Sequence, residues 1–541
     1  MAVRERISSL APLVFDAVGV LALLVGAHQI FQQTHYPLGF YDEGIVLSHA
    51  RMVSWGYWPY RDFFSQYPPG LFFVLVALWK LFGTQVLVVR YFTHGIRMGV
   101  ALMAGVAGAR TVGRRFTALP AGLLLLFLAR LPPSPYAWLV ALMFALASII
   151  ALSYAVETRA RGPWMVAGAM LGLTLAFRHD LFVYFVAAMS PGAFLWVRSR
   201  ALGRQQTLRL IGWIAAGAAI PCVLFWVPTL VMAKWSLILH DGLIDEVRYV
   251  MPSRKLPVPP LWTMKVVAPL THTRLPAFLT DITCMVYAVV LWAPALGLVR
   301  TWRAHRPHVD RITVAMLTAL SLAVIPQATG RSDWVHAFYG LAPGLILACS
   351  LAVSFGRQLT VRGGLSGLVV TAFFLWALRA GLPPQTPLFQ TSDAAVSDAK
   401  LDGSPFTRGI PDDRAAARRD LREYVQSHSA AGERIYIGAF NHSLVMANEV
   451  DLYFVLDRPS ATRYLQFDPG MVTRAEVQTE MIDSLEKLRT HLVVLTRAPW
   501  WVEPQNDSGK PGAKLLDTYL DAKYKAAAKF GPYEVRFRRD G

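Results

Sequence analysis

Asp42 and Glu43 stand side by side in residues 41–70 (YDEGIVLSHARMVSWGYWPYRDFFSQYPPG), a polar stretch of an otherwise apolar chain, with Arg61 and Asp62 after them and Pro68-Pro69-Gly70 closing it. Adjacent carboxylates at a membrane surface repel each other, so a partner is expected: an acceptor hydroxyl whose proton one of them takes, or a divalent cation. Further on, Arg90, His94 and Arg97 fall at i, i+4 and i+7 and share one helix face. Arginines within an apolar span are costly unless they face protein, water or an anion. They either pair with Asp42, Glu43 or Asp62, or dock a lipid phosphate, which guanidinium forks suit. Two short turns add similar residues, Arg178-His179-Asp180 and Arg331, Asp333 and His336. Each alone reads as a helix-end snorkel or a local ion pair; their convergence with the first loop is the signal. No HxxxH or HExxH spacing occurs near these histidines, which argues against a zinc hydrolase.

The elements that must position these groups are membrane helices. A hydrophobic fraction of 54% with 16% charged residues is too apolar for a water-soluble chain of 541 residues. The net charge of +18 is uneven: residues 1–382 carry 32 Lys+Arg against 13 Asp+Glu, and residues 383–541 carry 21 against 22. The surplus arginines lie scattered in short gaps between apolar runs, the pattern of cytoplasmic loops rather than of a nucleic-acid face. Apolar runs near 10–31, 86–109, 116–131, 136–156, 163–178, 181–197, 210–233, 279–299, 312–328, 338–356 and 364–382 predict about eleven transmembrane helices, with the N-terminus cytoplasmic. The short run 71–82, which contains Lys80, is then a re-entrant or interfacial helix, since a crossing there would move every later arginine cluster to the other side. With this sidedness Asp42, Glu43, Asp62, Asp180 and Asp333 are all at the outer face.

Ile45, His49, Met52 and Val53 recur at helical spacing after the two acids, which predicts an interfacial helix with Asp42 and Glu43 at its N-terminus. Capping and the helix dipole account for an acid there equally well. The expected fold is a polytopic all-α membrane bundle (1–382, catalytic first outer loop 32–85), a linker (383–411) and an outer α/β domain (412–541). In that tail, 434–440, 491–496 and 533–538 read as strands, and 412–428, 473–489 and 513–529 as helices.

Tyr41-Asp42-Glu43-Gly44, Gly56-Tyr57-Trp58-Pro59-Tyr60-Arg61-Asp62, Tyr67-Pro68-Pro69-Gly70, and Leu81-Phe82-Gly83 followed by Arg90 resemble the GT-C superfamily of membrane glycosyltransferases, in the branch of protein O-mannosyltransferases, aminoarabinose transferases and lipopolysaccharide-core sugar transferases. The likeness is close over the first loop and second span, loose over the span layout, and positional only for the tail. It implies an inverting glycosyltransferase of the bacterial inner membrane. The donor would be a polyprenyl-phosphate sugar and the acceptor a glycan, glycolipid or protein hydroxyl, in envelope assembly. Asp42 would match the first-loop acid that accepts the acceptor's proton, with Glu43 orienting it or binding a cation. Tyr67 stands where some relatives keep a lysine, so the donor phosphate would fall to Arg61, Arg90, Arg178 or Arg331, supported by Asp62, His94, Arg97, His179, Asp180, Asp333 and His336. No cofactor is required by the motifs, and a divalent cation at Asp42 and Glu43 stays open. A lipid-linked-sugar flippase or transporter is the competing class; it needs polar residues continuing to the inner half of the bundle, where little stands beyond Asp16 and the loop arginines.

Overall fold

The computed structural model describes residues 2–113, 117–258, 286, 288–302, 308–358, 401–410, 412–445, 447–497, 503 and 506–540. Helices α1 (Ala2–Gln32), α2 (Asp42–Ser54), α3 (Gly70–Phe82), α4 (Val86–Val112), α5 (Ala118–Leu128), α6 (Ala137–Thr158), α7 (Arg161–Phe177), α8 (His179–Ser199) and α9 (Arg204–Met232) follow one another through the first part of the chain. His308–Ala323 and Leu341–Gln358 are further long helices. Among the described residues, seven helices are long and apolar enough to cross a membrane, fewer than the eleven runs of the sequence. The expected span at 364–382 lies outside the described residues, and that at 279–299 lies partly so. α5 sits on its expected run but has only 11 residues. Helix α3 has 13 residues, a length of roughly 20 Å at 1.5 Å per residue, short of a bilayer core of about 30 Å.

The bundle closes through small residues, as helix association in lipid favours. At the α7–α9 crossing a Cβ on Gly168 would lie 1.9 Å from the Ile214 carbonyl oxygen, and one on Gly217 would lie 1.9 Å from that of Met165. These backbones touch, so no side chain fits between them.

The tail builds a four-stranded sheet in the order β1-β2-β4-β3. β1 (Tyr436–Ala439) runs parallel to β2 (Leu492–Thr496); β4 (Tyr533–Arg538) is antiparallel to β2 and to β3 (Tyr524–Phe530). Helices Ala415–His428, Ala475–Lys487 and Leu515–Lys523 accompany it. The last corrects the sequence expectation: the helix read over 513–529 stops at Lys523, and YKAAAKF is strand β3. Its alanines favour helix, but Gly531, at φ +55°, turns the chain into a hairpin with β4, and that pairing overrides the local preference.

The tail is not a separate body. Ile45, Met52, Phe63 and Phe72 of the first loop share a core with Leu421, Val425, Val450, Leu452 and Tyr453 of the tail. Ser48 Oγ donates to the Val450 carbonyl at 2.7 Å, the Phe64 N–H donates to the Arg463 carbonyl at 2.7 Å, and Arg51 pairs with Asp457 at 2.7 Å. Buried Arg418 stiffens the segment that makes this contact by holding Glu449 at 2.9 Å and Asp451 at 2.5 Å. A Cβ on Gly44 would lie 2.7 Å from the backbone nitrogen of Asp451. Because the obstacle is main chain, Gly44→Val is expected to push the tail off α2 and cost on the order of 1–3 kcal/mol. A lower melting temperature and faster proteolytic release of the tail would show it; an unchanged melt would contradict the contact.

Candidate active site

The two adjacent acids go separate ways. Glu43 is buried, 1% exposed, and its carboxylate accepts from Arg90 Nε and Nη2, both at 2.9 Å, and from the Gly39 N–H at 2.9 Å. Arg90, 0% exposed, spends its remaining donors on the carbonyls of Thr34 (2.9 Å), Tyr36 (2.5 Å) and Pro37 (3.2 Å). Of the two fates the sequence left open for Arg90, pairing with a first-loop acid is the one observed. This is a correction to Arg90 as a phosphate ligand: its fork is already filled. Arg97 is likewise buried, on Gln33 Oε1 (2.7 Å) and the carbonyls of Leu131 and Pro132, and His94 meets Thr34 Oγ1 at 3.0 Å. The α4 face holds α1 to the loops rather than lining a cavity.

Asp42 is the first residue of α2, and the residue before it, Tyr41, makes no side-chain cap. Its side chain is exposed, with Tyr136 Oη 3.5 Å away as a donor. Protein nevertheless surrounds it closely enough that lost hydration raises its pKa above the usual carboxylate value, with Arg254 and His336 pulling it down and Asp333 and Asp468 pushing it up. With both Glu43 oxygens engaged by Arg90 and Gly39, the two acids do not make a joint cation site, and among the described residues no three His, Cys, Asp or Glu side chains group as metal ligands.

The neighbours of Asp42 come from three distant parts of the chain. Arg254 donates from Nη1 to Asp468, lies over the Tyr41 ring at 5.9 Å, and has its Nε buried with no partner among the described residues. Arg331 donates to the Arg254 carbonyl (2.7 Å), to Asp333 (2.8 Å) and to both oxygens of Glu503 (3.0 and 2.5 Å). Asp333 accepts from His336 Nδ1 at 2.7 Å; burial opposes ionisation, but His336 and Arg331 pull its pKa down to about 2. Arg178 makes a fork to Asp180 (2.7 and 2.9 Å) and lies over the rings of Tyr67 (5.4 Å) and Tyr339 (6.0 Å). Asp180 also accepts from Gln327, while the His179 ring bonds the Gly242 backbone. Glu246 lies within electrostatic reach of Asp468, Arg178 and Arg254; its Oε2 is buried without a partner among the described residues, and burial pushes its pKa up to about 7.

So Asp42, Tyr67, Arg178, Asp180, Arg331, Asp333 and His336 converge as one neighbourhood. Arg61 and Asp62 do not join it in any described contact: Arg61 forks onto Asp62 (2.6 to 3.0 Å), which accepts the Trp58 N–H at 2.7 Å, closing their own turn. Sequence reasoning missed Arg254, Glu246, Asp468 and Tyr136. For Arg254 one signal was available, since the expected topology puts it in an outer loop, where an arginine runs against the positive-inside bias. Nothing in spacing points to Asp468, which is 214 residues beyond Arg254.

No protein-family model matches the sequence, and no curated protein sequence matches it. Among solved structures, ArnT from Cupriavidus metallidurans bound to undecaprenyl phosphate is similar with a TM-score of 0.53 at 14% identity, over 97% of this chain and 98% of that one. The oligosaccharyltransferase from Archaeoglobus fulgidus, tethered to an acceptor peptide, gives a TM-score of 0.46 at 12% identity, over 88% of this chain and 69% of that one. At such identities the likeness to ArnT is one of fold.

The Glu43–Arg90 pair has a testable energetic role. Arg90→Ala is expected to leave a buried carboxylate unpaired and to cost about 3–5 kcal/mol, whereas Glu43→Gln with Arg90→Met, which removes both charges, recovers most of it. Melting temperatures in detergent would compare them; equal losses in the two would contradict a pair acting as a unit.

Proposed function

We propose, for a chain with the GT-C fold, an inverting transfer of a sugar from a polyprenyl-phosphate donor to an acceptor hydroxyl at the outer face of a bacterial inner membrane, in assembly of an envelope glycan or glycolipid. In this reading residues 1–382 form an eleven-span membrane domain with a cytoplasmic N-terminus, and 412–541 an outer domain after a linker at 383–411.

The observation that carries the reading is the contrast between the adjacent acids: Glu43 is sealed on Arg90, while Asp42 stays open beside Arg254 and His336. Displacing phosphate from an anomeric carbon needs a proton acceptor at the incoming hydroxyl and cations on the leaving group. Asp42 is assigned the first task. Its raised pKa increases its affinity for the acceptor's proton. Arg254, whose buried Nε–H has no acceptor among the described residues, is assigned to the phosphate, with Arg178 and Arg331 close by. Tyr67, where some relatives keep a lysine, serves instead as an aromatic floor for the Arg178 guanidinium.

Asp42→Asn in folded, purified protein is expected to lower transfer by about 10² to 10⁴-fold, the usual contribution of a positioned base. The acid limb of the pH profile of kcat/KM is expected above the ordinary aspartate pKa of about 3.9, because only the ionised form accepts a proton and the site raises that pKa. Full activity of the Asn variant with any polyprenyl-phosphate sugar would overturn the assignment.

A further inference from the structure

We propose that the C-terminal tail completes the active site, with Asp468 as a positioning residue that holds Tyr41 and Arg254 in place beside Asp42. The inference rests on the assignment of Asp42 as base and Arg254 as phosphate ligand. Asp468 is fully buried; its Oδ1 accepts from the Tyr41 hydroxyl at 2.6 Å and from Arg254 Nη1, and its Oδ2 accepts from Gln466 Nε2 at 3.0 Å. One tail carboxylate thus ties the first loop, through Tyr41, to a second loop, the segment from residue 233 that follows α9, through Arg254.

The segment carrying Asp468 is built to be rigid. Asn448 clamps it by accepting the Phe467 N–H at 2.9 Å and donating to the Leu465 carbonyl at 2.8 Å. The Asn448 region is itself fixed to α2 through Ser48 on the Val450 carbonyl and Gly44 on Asp451. On the other side Gly470, at φ +77°, lets the tail backbone lie against the second loop, where a Cβ would fall 2.4 Å from the Tyr249 carbonyl oxygen, and Arg474 covers the Tyr249 ring at 3.6 Å. Asp468 is therefore held relative to α2 while it holds Arg254.

Electrostatics explains why a carboxylate is needed at this point. Arg254 stands among Asp42, Glu246 and Asp468. Without the Asp468 charge, the nearest compensation for the guanidinium is Asp42 or Glu246, and an Arg254–Asp42 pair would disable base and phosphate ligand together. The charged and titratable groups facing Asp42 include Arg254, His336, Asp333, Asp468, Tyr136, Tyr41 and Tyr67. Of these, Asp468 and Asp333 raise its proton affinity and Arg254 and His336 lower it.

The test uses the full-length protein in nanodiscs, a panel of undecaprenyl-phosphate monosaccharides as donor probes and an envelope glycolipid extract as acceptor. Asp468→Asn keeps the shape and an acceptor for Tyr41 but loses the charge. It is expected to lower kcat/KM by about 10- to 100-fold, the scale of a misplaced reacting group, and to move the acid limb of the pH profile to lower pH. Asp457→Asn, which breaks the Arg51 contact elsewhere on the loop–tail seam, is expected to leave that limb where it is. The proposal is overturned if Asp468→Asn keeps wild-type kcat/KM, or if it loses activity and melting temperature together with no shift of the limb. Asp42→Asn separates the two levels: full turnover in that variant sinks the assigned base, whereas loss there with a wild-type Asp468→Asn sinks only the role of the tail.

Discussion

The buried ion pair between Glu43 and Arg90 is the constraint on which the loop end of the bundle depends. Removing two charges from water costs several kcal/mol per ion, and only good geometry offsets it. Here the guanidinium makes a two-pronged contact with the carboxylate and fills its other donors with the carbonyls of Thr34, Tyr36 and Pro37. The pair therefore joins the end of α1, the start of α2 and the start of α4 at a single point. Asp42 precedes Glu43 directly, so wherever the pair sits, Asp42 is placed next to it and outside it.

A second regularity is that the arginines of the site come with carboxylates. Arg178 has Asp180, Arg331 has Asp333 and Glu503, and Arg254 has Asp468. Such pairing keeps cations at a membrane surface in fixed orientations without a ligand. A phosphate arriving there would bind by joining or replacing these carboxylates, so its recognition is a matter of short-range forks. The tail supplies Glu503 and Asp468, two of the carboxylates in these pairs, which makes it a structural partner of the loops.

The parts of this arrangement legible in the sequence are those with a local period. Ile45, His49, Met52 and Val53 announce α2, and the i, i+4, i+7 spacing of Arg90, His94 and Arg97 announces one face of α4. What period does not carry is the identity of a partner. The same spacing on α4 fitted an anion site or an internal brace equally well, and only the fold, by bringing Glu43 and the 34–37 carbonyls onto that face, decided for the brace. Asp468 was illegible for the same reason, and Arg254 gave no sign of its partner, since the two meet only when chain segments 214 residues apart come together. The strand 524–530 shows the converse limit: a local helix preference that was clear and was overridden by pairing with 533–538.

The opposite fates of Asp42 and Glu43 follow from helical rotation. Consecutive residues of an α-helix point about 100° apart around the axis, so neighbours in sequence can look into different environments. In α2 this angle separates a buried brace from an exposed carboxylate with no loop or linker between them. The loop ahead of α2 is thus an angular register as well as a connection. Adding one residue there would rotate the helix start so that Asp42 confronts Arg90, and deleting one would put Gly44 in its place.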